Sequence, residues 1–419
     1  MKLWQSILAG GLLAVAQSAT VEASDWLILI YMAANNNLYP YAQLNMRQLQ
    51  TYGSNNNAKV IVQITQPGGS TSRYSICKNC SRRLVYQGKV NSSNKKALSD
   101  FLIYGMRNFS AKKIFVDVWD HASGYVNSGD FALDRSICYD QTYRTWMRSV
   151  DLRDALRTAY QSTHRKIDIL GYDACLMQMI EVGAMVAPYA TIMVGSEETV
   201  PDDGFNYTAM LRPFRTGTLS SVNFAKSLVR DYYAFYKNGS ESVTLSAINL
   251  SKMLLLERNV NTVATLLKRC LSNQIGSSVS TTLQNCLYSN TCLHFSLYSY
   301  IDLGRWYQTV IANLGDFNVT DPSIVTSLET ALRAGLVLLH NAVISTTAIN
   351  EDSRAMGLSI CFPYYVLYPS YANSPFASSN QWVSFIRQYL ASRSQVDDLA
   401  RAAMLRQRFL AHKQRALLK

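Results

Sequence analysis

Apolar and polar positions alternate in blocks along this chain, and from residue 25 onward the blocks predict strands and helices in turn. Short, branched apolar runs predict strands that are buried on both faces. These runs are 26–33, 60–64, 113–119, 167–172, 191–194, 242–250 and 357–362. Apolar residues at helical spacing predict helices over 38–49, 97–109, 150–160, 253–271 and 323–340. This order predicts an α/β fold with a mostly parallel central sheet that is covered by helices on both faces.

The cysteines suggest two cross-links. Segment 67–88 is rich in turn residues and contains Cys77 and Cys80, whose C-x-x-C spacing suits a redox pair, half of a zinc site or a disulfide. No second C-x-x-C completes a zinc site, and the neighbouring sequence does not resemble a thioredoxin turn. We therefore expect a structural disulfide or two plain thiols, and no metal site. Cys286 and Cys292 are a second plausible bridge.

The start of the chain predicts export. Its 419 residues are 48% hydrophobic and 16% charged, a globular composition that suits one large domain with additions. Lys2, the apolar stretch 3–16 and the small residues at 21–23 are typical of a signal peptide, with a buried first helix as the alternative. No later apolar run reaches the ~18 residues of a membrane span. The expected domains are a signal peptide at 1–23 and a catalytic domain at 24–395.

Basic residues give the chain a formal charge of +12 and concentrate at its end. Segment 396–419 is predicted to be a basic helix, either contacting an anionic membrane surface or a partner, or simply solvated. The remaining charge is spread along the chain rather than gathered in one patch. No nucleic-acid partner is therefore predicted. The sequence leaves the oligomeric state open.

A histidine and a cysteine follow two of the predicted strands. His121 comes just after strand 113–119, and Cys175 just after strand 167–172. Because sites in such sheets form at the carboxyl ends of the strands, the two side chains are expected to lie close together. A thiolate nucleophile beside an imidazole is the requirement of a cysteine peptidase. Taken singly, a cysteine here is more often a small buried hydrophobe, and the histidine a satisfied polar residue.

Five sequence pieces carry a family resemblance. They are WLILIYMAANNNL (26–38), VDVWDHASG (116–124), DILGYDACLMQMIEV (168–182), GSEETVPDDGFNY (195–207) and GLSICFP (357–363). In this order they resemble the clostripain family of cysteine peptidases, from residue 25 to about 390. The resemblance implies a caspase-like, three-layer α/β/α fold and an endopeptidase that cleaves after basic residues.

The resemblance also implies roles for single residues. His121 and Cys175 match the catalytic pair, and the N–H groups of Ala122 and Cys175 would hold the oxyanion. Asp173, two residues before the cysteine, would line the pocket for a substrate's Arg or Lys, together with Asp203 or Asp202. Calcium is a possible activator by resemblance, although no EF-hand loop is present and no cofactor is otherwise required.

Three positions depart from the family pattern. Ala122 replaces a usual glycine and would resist a positive φ, Gln178 replaces a common glycine, and Phe205 replaces a common tryptophan. None of them removes a catalytic group. The alternative function is a weak or inactive binding protein on the same fold, whose basic tail contacts an anionic surface.

The segment between the catalytic candidates is predicted to be an exposed loop that the enzyme cuts itself. Residues 125–145 are rich in Gly, Asn, Ser and Asp, which favours exposure and proteolytic nicking. The family is typically processed in this interval after a basic residue. Arg135 is the expected site, Arg144 is the second choice, and Arg148 is disfavoured because it adjoins a helix.

Overall fold

Strands and helices alternate through residues 23–125 and 136–393, which the computed structural model describes. The strands are β1 (Ser24–Met32), β2 (Ala58–Thr65), β3 (Ser70–Cys77), β4 (Cys80–Lys89), β5 (Ala111–Trp119), β6 (Ile137–Asp140), β7 (Thr145–Met147), β8 (Ile167–Asp173), β9 (Ala190–Gly195), β10 (Val243–Asn249), β11 (Tyr300–Asp302), β12 (Val343–Ile349) and β13 (Ser359–Cys361). The helices are α1 (Tyr39–Gln50), α2 (Lys95–Asn108), α3 (Ser149–Thr163), α4 (Ile180–Val186), α5 (Tyr207–Leu211), α6 (Ser221–Tyr236), α7 (Leu250–Asn273), α8 (Ser278–Tyr288), α9 (Leu303–Ala312), α10 (Pro322–Ala342), α11 (Pro369–Ala372), α12 (Pro375–Ser379) and α13 (Trp382–Ala391). Tail 396–419, Arg135 and all but the last residue of the predicted signal peptide lie outside the described residues.

A nine-stranded sheet organises the fold, in the order β12-β10-β9-β8-β5-β1-β2-β3-β4. The five central strands, from β9 to β2, are parallel, and β10 and β3 run opposite to the other strands. The predicted α/β class with a mostly parallel sheet is confirmed. Since the five central strands end at one edge, the residues that follow them share that edge.

Successive side chains of β1 enter two different cores, as the pleat of a strand requires. Leu27 and Leu29 pack into a core with α2, α3 and α7, whereas Trp26 and Ile28 pack into one with α1, α5 and α6. All four side chains are buried, which explains why β1 reads as a continuous apolar run. The sheet is therefore the middle of the three predicted layers.

Two predicted segments have a different structure from the one expected. Segment 67–88, predicted to be turn-rich, forms the hairpin of β3 and β4 at one edge of the sheet, with two register shifts along it. Strand 357–362 exists as β13, but it pairs with β11 in a separate two-stranded sheet. Polar residues alternate along the hairpin, so its sequence lacks the apolar run by which the buried strands were found.

Of the two disulfides suggested by the sequence, the structure contains one. Cys77 and Cys80 are opposite each other at the β3–β4 turn and form a disulfide. The bridge between Cys286 and Cys292 is wrong, because both are buried free thiols. The Cys286 Sγ instead donates a 3.8 Å hydrogen bond to the Thr309 carbonyl on α9.

One described helix corrects the expectation about later apolar runs. By length and composition, α10 could cross a membrane, and a third of its most apolar window is buried. It packs on α7 and α9 through the buried side chains of Leu328, Leu332 and Leu339. An ion pair between Arg333 and Glu329 (2.7 Å) lies in the middle of the helix. These contacts bury one face of the helix within the fold.

Candidate active site

The sheet brings the ends of β5 and β8 together. These strands are parallel neighbours, and Trp119 on β5 lies opposite Asp173 on β8. His121 and Cys175 each follow this aligned pair by two residues. The sequence prediction that the histidine and cysteine emerge at adjoining strand ends is thus confirmed by the register.

The Cys175 thiol is half-buried and held by the segment that follows β9. Its Sγ accepts a hydrogen bond from the Val200 N–H at 3.2 Å. Burial raises the pKa of the Cys175 thiol to about 11, and the nearby charge of Glu198 adds to this effect. The thiol is therefore protonated at neutral pH and needs a base to become a nucleophile.

The residue after Cys175 has a strained backbone. Leu176 has φ 61°, in the left-handed region that a side chain with a Cβ seldom occupies. Its N–H donates to the Glu198 carbonyl at 3.1 Å, which fixes the turn against the segment that follows β9. Strain of about 1–3 kcal/mol is common at functional sites, where the surroundings hold it in place. Here it turns the chain directly after Cys175.

The His121 imidazole is half-buried and forms a hydrogen bond with a residue that follows β1. Its Nε2 lies 2.8 Å from Asn37 Oδ1, just beyond β1, the next strand along the sheet edge. Burial lowers the pKa of His121, against a smaller opposing effect of Asp202. The imidazole is therefore neutral at neutral pH and able to accept a proton. Asn37 was not among the predicted site residues, although it belongs to the asparagine run 35–37 that breaks the first apolar run.

Loss of the Asn37 amide should slow the reaction without weakening substrate binding. A hydrogen bond of this kind contributes about 0.5–1.5 kcal/mol, so Asn37→Ala is expected to lower kcat up to about tenfold with KM little changed. Asn37→Asp keeps an acceptor for the imidazole and should restore much of the rate. Steady-state kinetics of both variants test this. An unchanged kcat in Asn37→Ala would exclude a positioning role.

The Ala122 amide faces away from the neighbouring β6 strand. Ala122 lies opposite Ile137, but the flanking hydrogen bonds are made by the Ser123 N–H (2.8 Å, to the Ser136 carbonyl) and the His121 carbonyl (3.2 Å, from the Cys138 N–H). Its φ is not positive, so alanine fits where the family has glycine. Neither the Ala122 nor the Cys175 amide has an acceptor in residues 23–125 and 136–393. Both can therefore donate to a developing oxyanion.

Asp173 is buried below the turn that follows β9. Its side chain is 5% exposed, and its Oδ2 accepts hydrogen bonds from the Phe205 N–H (2.9 Å) and the Tyr207 hydroxyl (2.8 Å). Its Oδ1 is buried and has no partner. A Cβ on Gly204 would lie 2.4 Å from the carboxylate, so this turn approaches it in a way that only glycine allows.

The other two acids expected in the pocket lie on the outside of the same turn. Asp202 and Asp203 are exposed, within a turn closed by the Gly204 N–H to the Pro201 carbonyl at 2.9 Å. The negative charge of Asp202 raises the pKa of Tyr41 and opposes the lowering of the pKa of His121. The turn therefore places these carboxylates near the site while separating them from the buried oxygens of Asp173.

Two departures from the family pattern have structural roles. Gln178 is buried, and its Nε2 donates to the Ser246 hydroxyl at 2.7 Å, which ties the loop after Cys175 to β10. Phe205 is buried against the rings of Tyr207 and Tyr232. Both residues stabilise the walls of the site rather than its reacting groups.

The described residues do not form a group of ligands that fits calcium. Residues 23–125 and 136–393 contain no group of three or more His, Cys, Asp or Glu side chains that could hold a metal. Buried Glu197 and Asp302 do adjoin, but they bond to each other and to the amides of Gly357 and Met356. Glu197 Oε2 and both oxygens of Asp302 accept from backbone amides, and two acids are fewer than a metal-holding group needs, so no step is assigned to calcium.

Comparison with known proteins places the chain among peptidases. A sequence model described as the clostripain family matches residues 30–384. The chain is 26% identical over 138 residues to clostripain from Hathewaya histolytica. That match covers 31% of this chain and 26% of the relative, so the chain aligns with about a quarter of the relative's length.

Two solved structures share the fold. A secreted cysteine protease from Bacteroides thetaiotaomicron, bound to an irreversible peptide inhibitor, has a TM-score of 0.60 and 17% identity. The superposition covers 87% of this chain and 99% of that one. An inactive protease zymogen from Parabacteroides distasonis has a TM-score of 0.62 and 17% identity, and covers 87% of this chain and 98% of its own. At this identity the likeness shows the caspase-like fold.

Proposed function

The chain belongs to the clostripain family of cysteine peptidases, and we propose that it is an exported endopeptidase that cleaves proteins or peptides after Arg or Lys. The observation that carries the proposal is the register of β5 and β8, which sets His121 and Cys175 two residues beyond one aligned pair. A peptidase of this kind needs both groups within reach of one peptide bond.

The proposed reaction begins from two neutral groups. The Sγ attacks the carbonyl carbon of the substrate while His121 takes the thiol proton, and the resulting oxyanion accepts hydrogen bonds from the Ala122 and Cys175 amides. His121 then gives its proton to the departing amine as the C–N bond breaks. Water, deprotonated by His121, hydrolyses the thioester and releases the thiol. Because the resting thiol bonds to Val200, a side-chain rotation must precede attack.

Asp173 supports the preference for basic residues. Its unpartnered Oδ1 is an acceptor without a donor, and such a buried oxygen is costly unless a ligand supplies one. The guanidinium of Arg or the ammonium of Lys would donate a hydrogen bond to this oxygen and would balance the negative charge of the carboxylate. Since Asp173 is 5% exposed, the turn Pro201–Gly204 must move before a substrate side chain reaches it. Asp202 and Asp203, on the outer side of that turn, would attract the cation during entry.

Export is supported by two features of the chain and by one similar protein. The proposed signal peptide spans residues 1–23, and the disulfide between Cys77 and Cys80 suits an oxidising compartment. The similar protease from Bacteroides thetaiotaomicron is described as secreted.

An arginine chloromethyl ketone tests the proposal against the alternative of an inactive binding protein. The reagent should alkylate Cys175 of the wild type, and peptide mapping should find the label there. Cleavage profiling with a peptide library should then show Arg or Lys before the cut bond, with no cleavage by Cys175→Ala. Specific binding of peptides without labelling or cleavage would favour the binding protein.

Self-cleavage after Arg135 is expected to produce two fragments, the larger of which carries Cys175. The expectation of an exposed loop is wrong for 136–140, which is mostly buried and contains β6. Arg135 precedes buried Ser136, whose carbonyl accepts from the Ser123 N–H (2.8 Å) and whose hydroxyl donates to the Gly124 carbonyl (2.7 Å), so cleavage there requires this end of β6 to open. Arg144 is less suited, because it occupies the β6–β7 turn with φ 53° instead of the extended backbone a protease binds.

A denaturing gel tests this processing. The wild type should run as two bands and Cys175→Ala as one, while Arg135→Ala should remain intact and Arg144→Ala should be cut normally. A fully active wild type that stays in one piece would refute the processing, as would equal cleavage of Cys175→Ala.

A further inference from the structure

A second carboxylate lies directly beneath Asp173. Asp117 on β5 is fully buried, and its Oδ1 accepts a hydrogen bond from the Asp173 N–H at 3.2 Å. Both side chains are on the face of the sheet covered by α1, α5 and α6. Gly171, opposite Asp117, provides the room, since a Cβ there would lie 3.3 Å from the Asp117 carboxylate and 2.9 Å from Phe115.

One hydroxyl joins the two carboxylates. The Tyr207 Oη lies 2.6 Å from Asp117 Oδ2 and 2.8 Å from Asp173 Oδ2. A hydroxyl has one hydrogen to donate, so two such short contacts to acids require one acid to supply a proton of its own. The consistent arrangement is a chain in which a protonated Asp117 donates to Tyr207, and Tyr207 donates to the Asp173 carboxylate.

The environments of the two acids agree with this assignment. Burial raises the pKa of Asp117 to about 8, and the negative charge of Asp173 adds to the effect. Burial raises the pKa of Asp173 only to about 6, because the Phe205 amide and the Tyr207 hydroxyl stabilise its charge. Asp117 is also the more deeply buried acid (0% against 5% exposed) and accepts the longer amide hydrogen bond (3.2 Å against 2.9 Å), so the proton that the pair shares near pH 7 is assigned to Asp117.

No neighbouring Lys or Arg among the described residues pairs with the two carboxylates, and the neighbouring hydroxyls and thiol stay protonated near neutral pH. On α6, burial raises the pKa values of Tyr232 and Tyr236, so both stay neutral, as does the Cys175 thiol. Asp117 and Asp173 form no ion pair with any Lys or Arg in the described chain. The negative charges of Glu198, Asp202, Asp203 and Glu241 act on Cys175, Tyr232 or Tyr236, and that of Asp202 also acts on His121.

We propose that Asp117 and Tyr207 form a proton store beneath the specificity pocket, which releases its proton when a cationic side chain binds to Asp173. The pocket and the layer beneath it carry one negative charge when the pocket is empty and two when it is occupied. The negative charge therefore increases when a cation binds. This inference rests on the proposed role of Asp173. On release, the Asp117 O–H bond breaks, Tyr207 takes that proton and passes its own to Asp173, and solvent receives the proton from there.

Asp117→Asn separates this role from a structural one. The asparagine Oδ1 can still accept from the Asp173 N–H, and its Nδ2 can donate to Tyr207, which reproduces the protonated acid without a proton to lose. When a cation binds to this variant, residue 117 and Tyr207 beneath the pocket stay neutral. Asp117 is a positioning residue in this scheme, because it acts on the substrate through Asp173.

Calorimetric titration with benzamidine, a small arginine-like cation, measures the released proton directly. At about pH 7.5, titrations in buffers of different ionisation enthalpy should show the wild type releasing up to about one proton per benzamidine bound. Asp117→Asn should release close to none. Tyr207→Phe should also release less, because Asp117 loses the hydrogen bond that lowers its pKa. Tyr207→Phe also keeps the test valid if Asp117→Asn does not fold.

Glu181→Gln is the matched control. Burial raises the pKa of Glu181 to about 7, but it lies on α4, on the opposite face of the sheet, and bonds to Cys361 and Tyr371. This variant should release a proton as the wild type does. Equal release by the wild type and Asp117→Asn would overturn the proton store and leave the basic pocket intact. Failure of the wild type to bind benzamidine would overturn the pocket itself, and this inference with it.

Discussion

Replacing Cys175 with alanine is expected to abolish peptide hydrolysis, and replacing His121 with alanine to lower kcat by at least about 10⁴-fold. The thiol has no reactive anion of its own, since burial raises its pKa to about 11. It therefore depends on the neutral imidazole to take its proton at the moment of attack. Because both groups act in one acyl-transfer step, the double variant should be no slower than Cys175→Ala alone. Steady-state assays with an arginine peptide substrate measure all three.

A second thiol provides the control. Cys270 on α7 is a buried free thiol in the helical layer, and Cys270→Ala should keep nearly wild-type kcat while it loses one cysteine. Circular dichroism should show that every variant is folded. Thiol-dependent hydrolysis that survives in Cys175→Ala would mean that another residue is the nucleophile.

The sequence was informative wherever burial imposed a simple period. β1, β5 and β8 are buried on both faces, so their apolar runs located them to within a few residues. The helices α1 and α7 were found by their one apolar face. Since a parallel sheet aligns the carboxyl ends of its strands, locating β5 and β8 also located His121 and Cys175.

Contacts that depend on tertiary structure were beyond the sequence. Asp117 bonds to Tyr207 across 90 residues, and His121 bonds to Asn37 across 84. Nothing local marks these partners, although an acid inside the otherwise apolar run of β5 was a visible anomaly. The free state of Cys286 was missed for the same reason, since its spacing from Cys292 says nothing of the helix against which it packs.

Asp173→Asn is expected to lower kcat/KM for arginine substrates by about 10²–10⁴-fold, because leaving a buried charge without its partner costs about 3–5 kcal/mol. The fold should tolerate the change. The asparagine Oδ1 can accept the bonds that Phe205 and Tyr207 donate to Asp173 Oδ2, and like charge beside Asp117 is removed. Its Nδ2 would then replace the unpartnered Oδ1, presenting a donor where the guanidinium needs an acceptor.

Paired substrates that differ only in charge separate this effect from general damage. Citrulline has nearly the shape of arginine but no charge, so the wild type should strongly prefer the arginine peptide and Asp173→Asn should lose most of that preference. The matched variant Asp203→Asn removes an exposed acid from the same turn. Its loss should be much smaller, because solvent screens an exposed charge and leaves it a weak partner. An Asp173→Asn enzyme that cleaves the arginine peptide with unchanged kcat/KM would show that the basic side chain binds elsewhere, and a collapse of Asp203→Asn instead would transfer the role to the outer turn.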